Sequence, residues 1–228
     1  MSDISKTKEA QYQIVFDTLQ EKGLVQMGPM ASHTWRSDPR RLTFLLARYK
    51  FCSKMLAGKS KVLEVGCADG FGTRIVLQTV DSVHGVDFDP LFVESASQQA
   101  KLEGLKSTFS IVDITKNSPE GSYDAAYSLD VIEHIEPEQE DFYWQNIISV
   151  LEPNGVLIVG TPNLTASAYA SKWSQEGHIN LKSGETLKSA MEQYFNNVFI
   201  FSMNDEVVHT GYYPMAHYLI AMGVGVRQ

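Results

Sequence analysis

The stretch that decides the fold is Lys61-Val62-Leu63-Glu64-Val65-Gly66-Cys67-Ala68-Asp69-Gly70-Phe71-Gly72-Thr73. It begins with a short apolar run, long enough for one buried strand, and then enters a turn that contains three glycines. Such glycines let the backbone take positive φ values and let a ligand approach it closely. The free N–H groups at the start of the following helix would face that ligand. The stretch therefore predicts a nucleotide-binding loop at the carboxyl end of the first strand of an α/β sheet.

The spacing of these glycines separates two kinds of nucleotide loop. The dinucleotide fingerprint is G-x-G-x-x-G, whereas the chain reads G-x-x-x-G-x-G from Gly66, with Ala68 where a second glycine would stand. An acidic residue, Glu64, comes just before the first glycine. In this order the stretch resembles motif I of the class I S-adenosylmethionine (SAM) dependent methyltransferases, an acidic residue followed by G-x-G-x-G. Alanine is a small departure, because its side chain is the smallest after glycine.

The composition limits the class of protein. With 228 residues, 43% hydrophobic and 20% charged, the chain has the size and composition of one large globular domain. Its net charge of −8 argues against a nucleic-acid binder with a broad basic face. Two cysteines without a C-x-x-C motif favour neither a disulfide framework nor a structural zinc site. The polar N-terminus and the lack of a long apolar run predict a cytoplasmic protein without a membrane partner.

Two helices are expected ahead of the glycine loop. Helical spacing runs from Tyr12 to Gly23, and a second helix is expected from about Pro39 to Leu56. Residues 23–35 between them look irregular. We therefore expect an N-terminal helical cap over residues 1–58, followed by a Rossmann-like SAM-binding domain over residues 59–228.

Four of the six arginines of the chain lie in this N-terminal part: Arg36, Arg40, Arg41 and Arg48. They could form a solvated helix face. Alternatively one or two of them, Arg36 above all, could enter the active site and meet the carboxylate of SAM or an acidic substrate, because arginine suits planar anions.

Acidic residues are expected at the ends of the second and third strands. An acidic side chain that ends the second strand, here Ser82 to Asp87, can accept both hydroxyls of an adenosine ribose. An ordinary aspartate in a turn at the strand end is the alternative. Phe88 would lie against the adenine, with core packing as the alternative. The third strand, Thr108 to Val112, precedes Asp113. In the methyltransferase pattern an acidic residue here meets the adenine amine, and capping of a turn is the alternative.

The resemblance extends beyond the glycine loop. The stretches E-V-G-C-A-D-G, V-D-F-D, V-D-I and Y-D-A-A-Y-S-L-D-V-I-E-H-I come in the family order, at the family spacings, within residues 60–160. This implies an α/β, doubly wound, mostly parallel seven-stranded sheet of order 3-2-1-4-5-7-6, with the last strand antiparallel. It also implies SAM as cofactor and S-adenosylhomocysteine as product. Together with Arg36, the matching positions form the expected cofactor site: Glu64, Gly66, Ala68, Gly70, Asp87, Phe88, Asp113, Ile114, Ser128, Leu129 and His134.

Two histidines are candidate catalytic residues. Methyl transfer from SAM is an in-line displacement that needs an aligned acceptor and often a base. His134 stands in E-H-I, which many small-molecule methyltransferases share, including the ubiquinone-pathway O-methyltransferases, where it more often shapes the SAM pocket. His178 resembles a histidine of the same family that precedes a helix and faces the acceptor; capping that helix is the alternative. No metal-ligand spacing stands out among the six histidines, so we expect no metal.

The leading hypothesis is a SAM-dependent methyltransferase that methylates oxygen on a small molecule. The acceptor would be a metabolite, a sugar or another anionic or phosphorylated intermediate, including one bound for a surface glycan. A methyltransferase of nucleic acids is disfavoured, because the fourth strand ends in S-L-D rather than N-P-P-Y. A catalytically inactive SAM-binding partner subunit and a nicotinamide-dependent oxidoreductase stay open as alternatives, although the glycine spacing opposes the second. The edge of the N-terminal cap could serve as a homodimer surface.

Overall fold

The computed structural model, which describes residues 6–227, is built on one eight-stranded sheet. Its strands are β1 (Lys61–Val65), β2 (Ser82–Asp87), β3 (Ser107–Ile111), β4 (Tyr123–Leu129), β5 (Leu151–Pro162), β6 (Phe195–Asn204), β7 (Val207–His209) and β8 (Tyr218–Val226). The α-helices are α1 (Gln13–Lys22), α2 (Pro29–Ser37), α3 (Arg40–Met55), α4 (Thr73–Val76), α5 (Pro90–Glu103), α6 (Glu140–Ile148), α7 (Lys172–Gly177) and α8 (Gly184–Glu192). Within residues 6–227, none of the helices is both long enough and apolar enough to cross a membrane.

The strand order is β3-β2-β1-β4-β5-β8-β6-β7. Strands β1 to β5 pair in parallel, whereas β8 runs antiparallel between β5 and β6. This confirms the predicted fold class and the arrangement in which the last strand is inserted beside its predecessor. The predicted number of seven strands is wrong by one. The additional strand, β7, pairs with the end of β6 at the edge of the sheet and is only three residues long, too short to show a periodic pattern.

The two faces of the sheet carry separate hydrophobic cores. In β1, Leu63 belongs to one cluster and Val62 to the other; in β4, Ala126 and Ala125 divide in the same way. This follows from strand geometry, since successive side chains point to opposite faces. The parallel strands are therefore buried on both faces, as their nearly continuous apolar sequences predict.

The N-terminal helices agree in part with expectation. Helix α3 has nearly the predicted bounds, but the irregular chain expected over residues 23–35 is wrong, because α2 begins at Pro29. Gly28 and Pro29 were interpreted as a turn, yet proline at the first helical position equally starts a helix. Helix α1 contains no buried residue. The division of the chain after residue 58 into a cap and a domain stays a prediction.

Helix α3 packs directly on the glycine loop. The ring of Tyr49, which is 7% exposed, lies so close to Gly72 that a Cβ atom at this position would be 2.2 Å from ring carbons. The same ring stands edge-on to buried Tyr127 of β4, with ring centroids 6.0 Å apart. Gly72 thus leaves room for the contact that joins the N-terminal helices to the sheet.

We expect Gly72→Ala to lower the free energy of unfolding by about 1–3 kcal/mol, because the added methyl group overpacks the Tyr49 contact. Urea denaturation of the purified protein measures this change. Lys50→Ala, on the exposed side of the same helix, is the control and should unfold like the wild type. Equal stability of Gly72→Ala and the wild type would contradict the packing described.

Candidate active site

The carboxyl ends of β1, β2 and β4 lie side by side, because these strands are parallel neighbours. Val65 at the end of β1 is in register with Val86 of β2 and Ser128 of β4. The chain segments that follow all three strands therefore emerge at one edge of the sheet. Ligands of open α/β sheets bind at this edge, where the strand order reverses.

The glycine loop turns sharply against the end of β2. Gly66 has a φ of +77°, and a Cβ atom there would lie 2.2 Å from Cγ2 of Val131. Its N–H donates to the carbonyl of Val86 at 2.8 Å. Ala68 also adopts a positive φ, +44°, so it occupies a conformation that a glycine in the family motif would favour.

Asp87 connects the glycine loop to the end of β2. Its Oδ2 accepts the Ala68 N–H at 2.9 Å, and its Oδ1 accepts the Asp89 N–H at 3.0 Å. A carboxylate offers about four acceptor positions, so hydroxyl groups of a ligand can still bind. The neighbouring Phe88 side chain is 74% exposed, which removes core packing as its role and leaves the ring free to meet a flat ligand.

Glu64 lies beneath the loop rather than on its surface. The carboxyl group is 1% exposed and accepts a hydrogen bond from the Thr73 hydroxyl at 2.5 Å. Burial raises the pKa of Glu64 to about 7, against the effect of the Thr73 hydrogen bond. Its other oxygen, Oε1, has no hydrogen-bond partner among the described residues.

The end of β3 shows a capped turn. The Asp113 carboxylate accepts the N–H and hydroxyl of Thr115 at 3.1 and 2.6 Å, and it pairs with Lys116 at 2.6 Å. These partners hold the pKa of Asp113 below its ordinary value. The turn-cap alternative therefore describes its contacts here, and the adenine role stays a prediction. Ile114 is buried, and its carbonyl accepts a hydrogen bond from Asn146 at 2.7 Å.

An ion pair between Arg48 and Asp130 lies directly after the end of β4. After buried Ser128 and Leu129, Asp130 takes a positive φ of +57°. Its carboxylate accepts hydrogen bonds from Arg48 of α3 at 2.5 and 2.8 Å. The Arg48 guanidinium also lies 3.7 Å from the centre of the Tyr218 ring. Arg48 is thus the arginine that reaches the edge of the sheet.

Arg36, the arginine expected to do this, lies elsewhere. It is exposed on α2 and lines a cavity of about 650 Å³ between α2 and α5, together with His33 and Gln98. Its predicted contact with the SAM carboxylate stays a prediction that these surroundings do not support.

The two candidate histidines lie next to each other. The ring centroids of His134 and His178 are 5.1 Å apart, with the planes at 71°. The carbonyl of Glu133, the residue before His134, accepts the Ile179 and Asn180 N–H groups at 2.8 and 3.1 Å, which holds the two segments together. Burial, followed by the neighbouring His134, lowers the pKa of His178, so its imidazole is neutral at pH 7 and able to accept a proton.

Sequence reasoning missed Asp69 and Glu133. Asp69 is 5% exposed, and its carboxylate accepts the N–H of Ala31 at 2.9 Å and of Phe71 at 3.2 Å, which ties α2 to the glycine loop. Glu133 is fully buried and accepts a hydrogen bond from Thr161 at 3.0 Å. Both stand inside motifs that had been quoted, and an acidic residue among apolar neighbours was the available signal.

The fold and the loop geometry define a class of protein. A glycine turn follows β1, an aspartate that bonds this turn ends β2, and the last strand is inserted antiparallel. Residues 62–155 also match the family described as a methyltransferase domain. Residues 62–155 are therefore similar to a methyltransferase domain, in agreement with the resemblance seen in the sequence.

Similar proteins are known in sequence and in structure. The ubiquinone biosynthesis O-methyltransferase of Rickettsia felis is 29% identical over 153 residues, covering 60% of this chain and 60% of that protein. The N-methyltransferase NodS of Bradyrhizobium japonicum, in complex with S-adenosylhomocysteine, has a TM-score of 0.61 at 20% identity, covering 92% of this chain and 97% of its own. A SAM-dependent methyltransferase of Clostridium acetobutylicum has a TM-score of 0.66 at 12% identity, covering 85% and 97%.

These likenesses differ in what they establish. At 20% identity or less, the solved structures establish the fold alone. The chain spans about 60% of the length of the curated relative from Rickettsia felis. Activity and substrate therefore have to be argued from this chain's own residues.

The buried Glu64 predicts a pH-dependent stability. Its pKa is about 7 in the folded protein and near 4.5 when unfolded, so between these values the folded state binds the extra proton. The free energy of unfolding should fall as pH rises from about 4.5 to 7 and then level off. Glu64→Gln should remove up to about 3 kcal/mol of this fall.

Urea denaturation at pH 5 and pH 7.5 measures the difference. Glu152→Gln, at an exposed position, is the control and should keep the wild-type pH dependence. Parallel pH dependences for Glu64→Gln and the wild type would show that this carboxyl group titrates normally.

Proposed function

We propose that the protein is a SAM-dependent methyltransferase that methylates a hydroxyl group of a small-molecule acceptor. The observation that carries this proposal is the Asp87 carboxylate, held against the glycine loop by the Ala68 N–H at 2.9 Å, beside the exposed Phe88 ring. A carboxylate in this place can accept the two ribose hydroxyls, and the ring can cover the adenine. The methyltransferase-domain match and the complex of a related fold with S-adenosylhomocysteine support SAM as the ligand.

The rest of the cofactor would follow the strand ends. We place the methionine part along Gly66, Ala68 and Gly70 toward Ser128 and Leu129, because these segments adjoin at the edge of the sheet. Glu64, which is buried under the glycine loop, would not contact the cofactor but would fix the start of α4 through its hydrogen bond with Thr73. The methyl group would then face the histidine pair.

The acceptor would lie on the far side of that methyl group. His134 follows β4 and His178 follows α7 there, and we propose that the acceptor hydroxyl loses its proton at this histidine pair. Exposed aromatic side chains, Tyr169, Trp173 and Tyr212, are available to bind an apolar part of the acceptor. The name of the Rickettsia relative, an O-methyltransferase, supports oxygen as the methylated atom.

A more specific proposal concerns the charge of the acceptor. Arg40 pairs with Asp38 and Arg48 pairs with Asp130, so two of the four clustered arginines are already engaged. Recognition of an anionic or phosphorylated acceptor, such as a sugar phosphate, would fall to Arg41, because Arg36 lines the separate cavity between α2 and α5. For a homodimer, the exposed apolar side chains of α1 offer a surface.

Binding of the cofactor is the first test. Calorimetric titration of the wild type should show binding of SAM and S-adenosylhomocysteine but not of NAD. Asp87→Ala should weaken both by at least about tenfold, since a bidentate charged hydrogen-bond acceptor is lost. Asp89→Ala, which removes only the N-terminal cap of α5, is the matched control and should bind normally. Binding of NAD alone would replace this proposal with an oxidoreductase.

Catalysis at the histidine pair is the second test. With an acceptor found by screening hydroxylated compounds, we expect His178→Gln to lower kcat by about 10²–10⁴-fold while the Kd for SAM stays within about twofold. His209→Gln, on β7, is the control. Full activity of both His178→Gln and His134→Gln would exclude a catalytic role for the pair. Cofactor binding without transfer to any acceptor would favour the inactive partner subunit.

A further inference from the structure

Three side chains with metal-binding atoms converge beside the proposed acceptor site. One donor atom each of Glu133, His134 and His178 lies within 4.8 Å of the other two. Two imidazoles and one carboxylate are a donor set that divalent transition-metal ions use in catalytic sites, where other coordination positions stay open. The donors of a tetrahedral site lie about 3.3–3.6 Å apart, given ligand bonds of about 2.0–2.2 Å. Small rotamer adjustments of the two histidines would bring the donor atoms from within 4.8 Å of one another to this shorter separation.

The hydrogen bond of His134 leaves one ring nitrogen free to bind a metal ion. Its Nδ1 lies 2.8 Å from the carbonyl oxygen of Gly177, and a carbonyl can only accept, so Nδ1 carries the proton. In the neutral ring, Nε2 then keeps its lone pair. A backbone carbonyl that fixes the tautomer in this way is the usual outer partner of a metal-binding histidine.

The Glu133 carboxylate gives independent evidence for a bound cation, because one of its oxygens lacks a hydrogen-bond partner among the described residues. The Glu133 side chain is fully buried, and its Oε2 accepts the Thr161 hydroxyl at 3.0 Å. Its Oε1 is buried without a hydrogen-bond partner anywhere in residues 6–227. A buried carboxylate oxygen without a partner is costly. The positive charge of Arg48 also acts on Glu133, but its guanidinium is already bound to Asp130.

The segments that carry the three residues are fixed relative to each other. Glu133 and His134 follow β4, and His178 follows α7, yet the Glu133 carbonyl accepts two backbone N–H groups just after His178. Lys182, a few residues further, forms a largely buried ion pair with Glu140 at 2.5 Å. The donor set is therefore held by backbone and side-chain bonds on both sides.

We propose that Glu133, His134 and His178 bind a divalent transition-metal ion, which in turn binds the acceptor hydroxyl. This departs from the sequence-based expectation of no metal, which considered spacing along the chain rather than across two loops. The role of the ion in methyl transfer rests on the proposed function, but the binding site does not.

The ion would act as a Lewis acid. Bound to the acceptor oxygen, it lowers the pKa of the hydroxyl group, whose proton passes to water. The oxygen then forms a bond to the methyl carbon of SAM, the carbon–sulfur bond breaks, and its electron pair stays on sulfur in S-adenosylhomocysteine. His134 and His178 would thus promote proton loss as ligands, and the acceptor would present an oxygen accessible to a cation.

The test uses Co²⁺ and Zn²⁺ on the full chain after removal of metals with a chelator. We expect one equivalent of Co²⁺ to give the visible absorption of a protein-bound ion and Zn²⁺ to displace it. His178→Gln and His134→Gln should weaken Zn²⁺ binding by at least about 10–100-fold in calorimetry. His209→Gln is the control and should bind like the wild type. Glu133→Gln should also lose the ion if it folds, but the two histidine variants decide the matter.

Titration of SAM into the same samples separates this proposal from the proposed function. SAM binding together with Zn²⁺ affinity that is equal in the wild type and His178→Gln would overturn the metal site and leave the methyltransferase intact. Zn²⁺ binding that depends on His178, without SAM binding, would establish the site and overturn the proposed function. Methyl transfer should fall at least about tenfold in chelator and return with added cation in the wild type. Undiminished transfer in chelator would overturn the role of the ion.

Discussion

The hydrogen bond from the Ala68 N–H to the Asp87 carboxylate joins the two strand ends on which the site depends. It holds the glycine loop against β2, where the Gly66 and Cys67 N–H groups also donate to the Val86 carbonyl. The same loop carries Asp69, which holds the start of α2. This one turn therefore sets the position of the surface on which the cofactor would bind, and also the position of the N-terminal helices. A backbone N–H bonded to a charged acceptor is among the stronger hydrogen bonds in proteins.

A second set of bonds builds the acceptor side. The Glu133 carbonyl holds the backbone after His178, and the largely buried pair of Lys182 and Glu140 anchors the same segment to α6. Asn180 donates to the Glu140 carboxylate at 2.9 Å, so this charge has more than one partner. Removing one member of such a pair leaves an uncompensated buried charge. The segment that carries His178 is thus fixed, although it lies in a region without regular strands.

What the sequence could predict was local. The apolar run and glycines of residues 61–73 and the acidic residues at the ends of β2 and β3 follow patterns within short stretches. The insertion of the last strand was instead implied by the family resemblance. Helix α2 was missed, because Gly28-Pro29 fits both a turn and a helix start. Strand β7 was missed, because three residues cannot show a period.

The contacts that complete the site were not predictable in the same way. Arg48 and Asp130 are 82 positions apart, and nothing in either neighbourhood distinguishes Arg48 from Arg36. The meeting of Glu133 with His178 likewise depends on how two loops pack. A motif indicates which residues occur near a ligand, whereas the fold decides which of them touch one another.

A crystal structure with S-adenosylhomocysteine tests the central claim most directly. The account predicts that the two ribose hydroxyls lie within hydrogen-bond distance of the Asp87 carboxylate and that the sulfur faces the end of β4, toward His134. A nucleoside bound elsewhere, or bound at this edge without contact to Asp87, would contradict the account of how the glycine loop and β2 form the site.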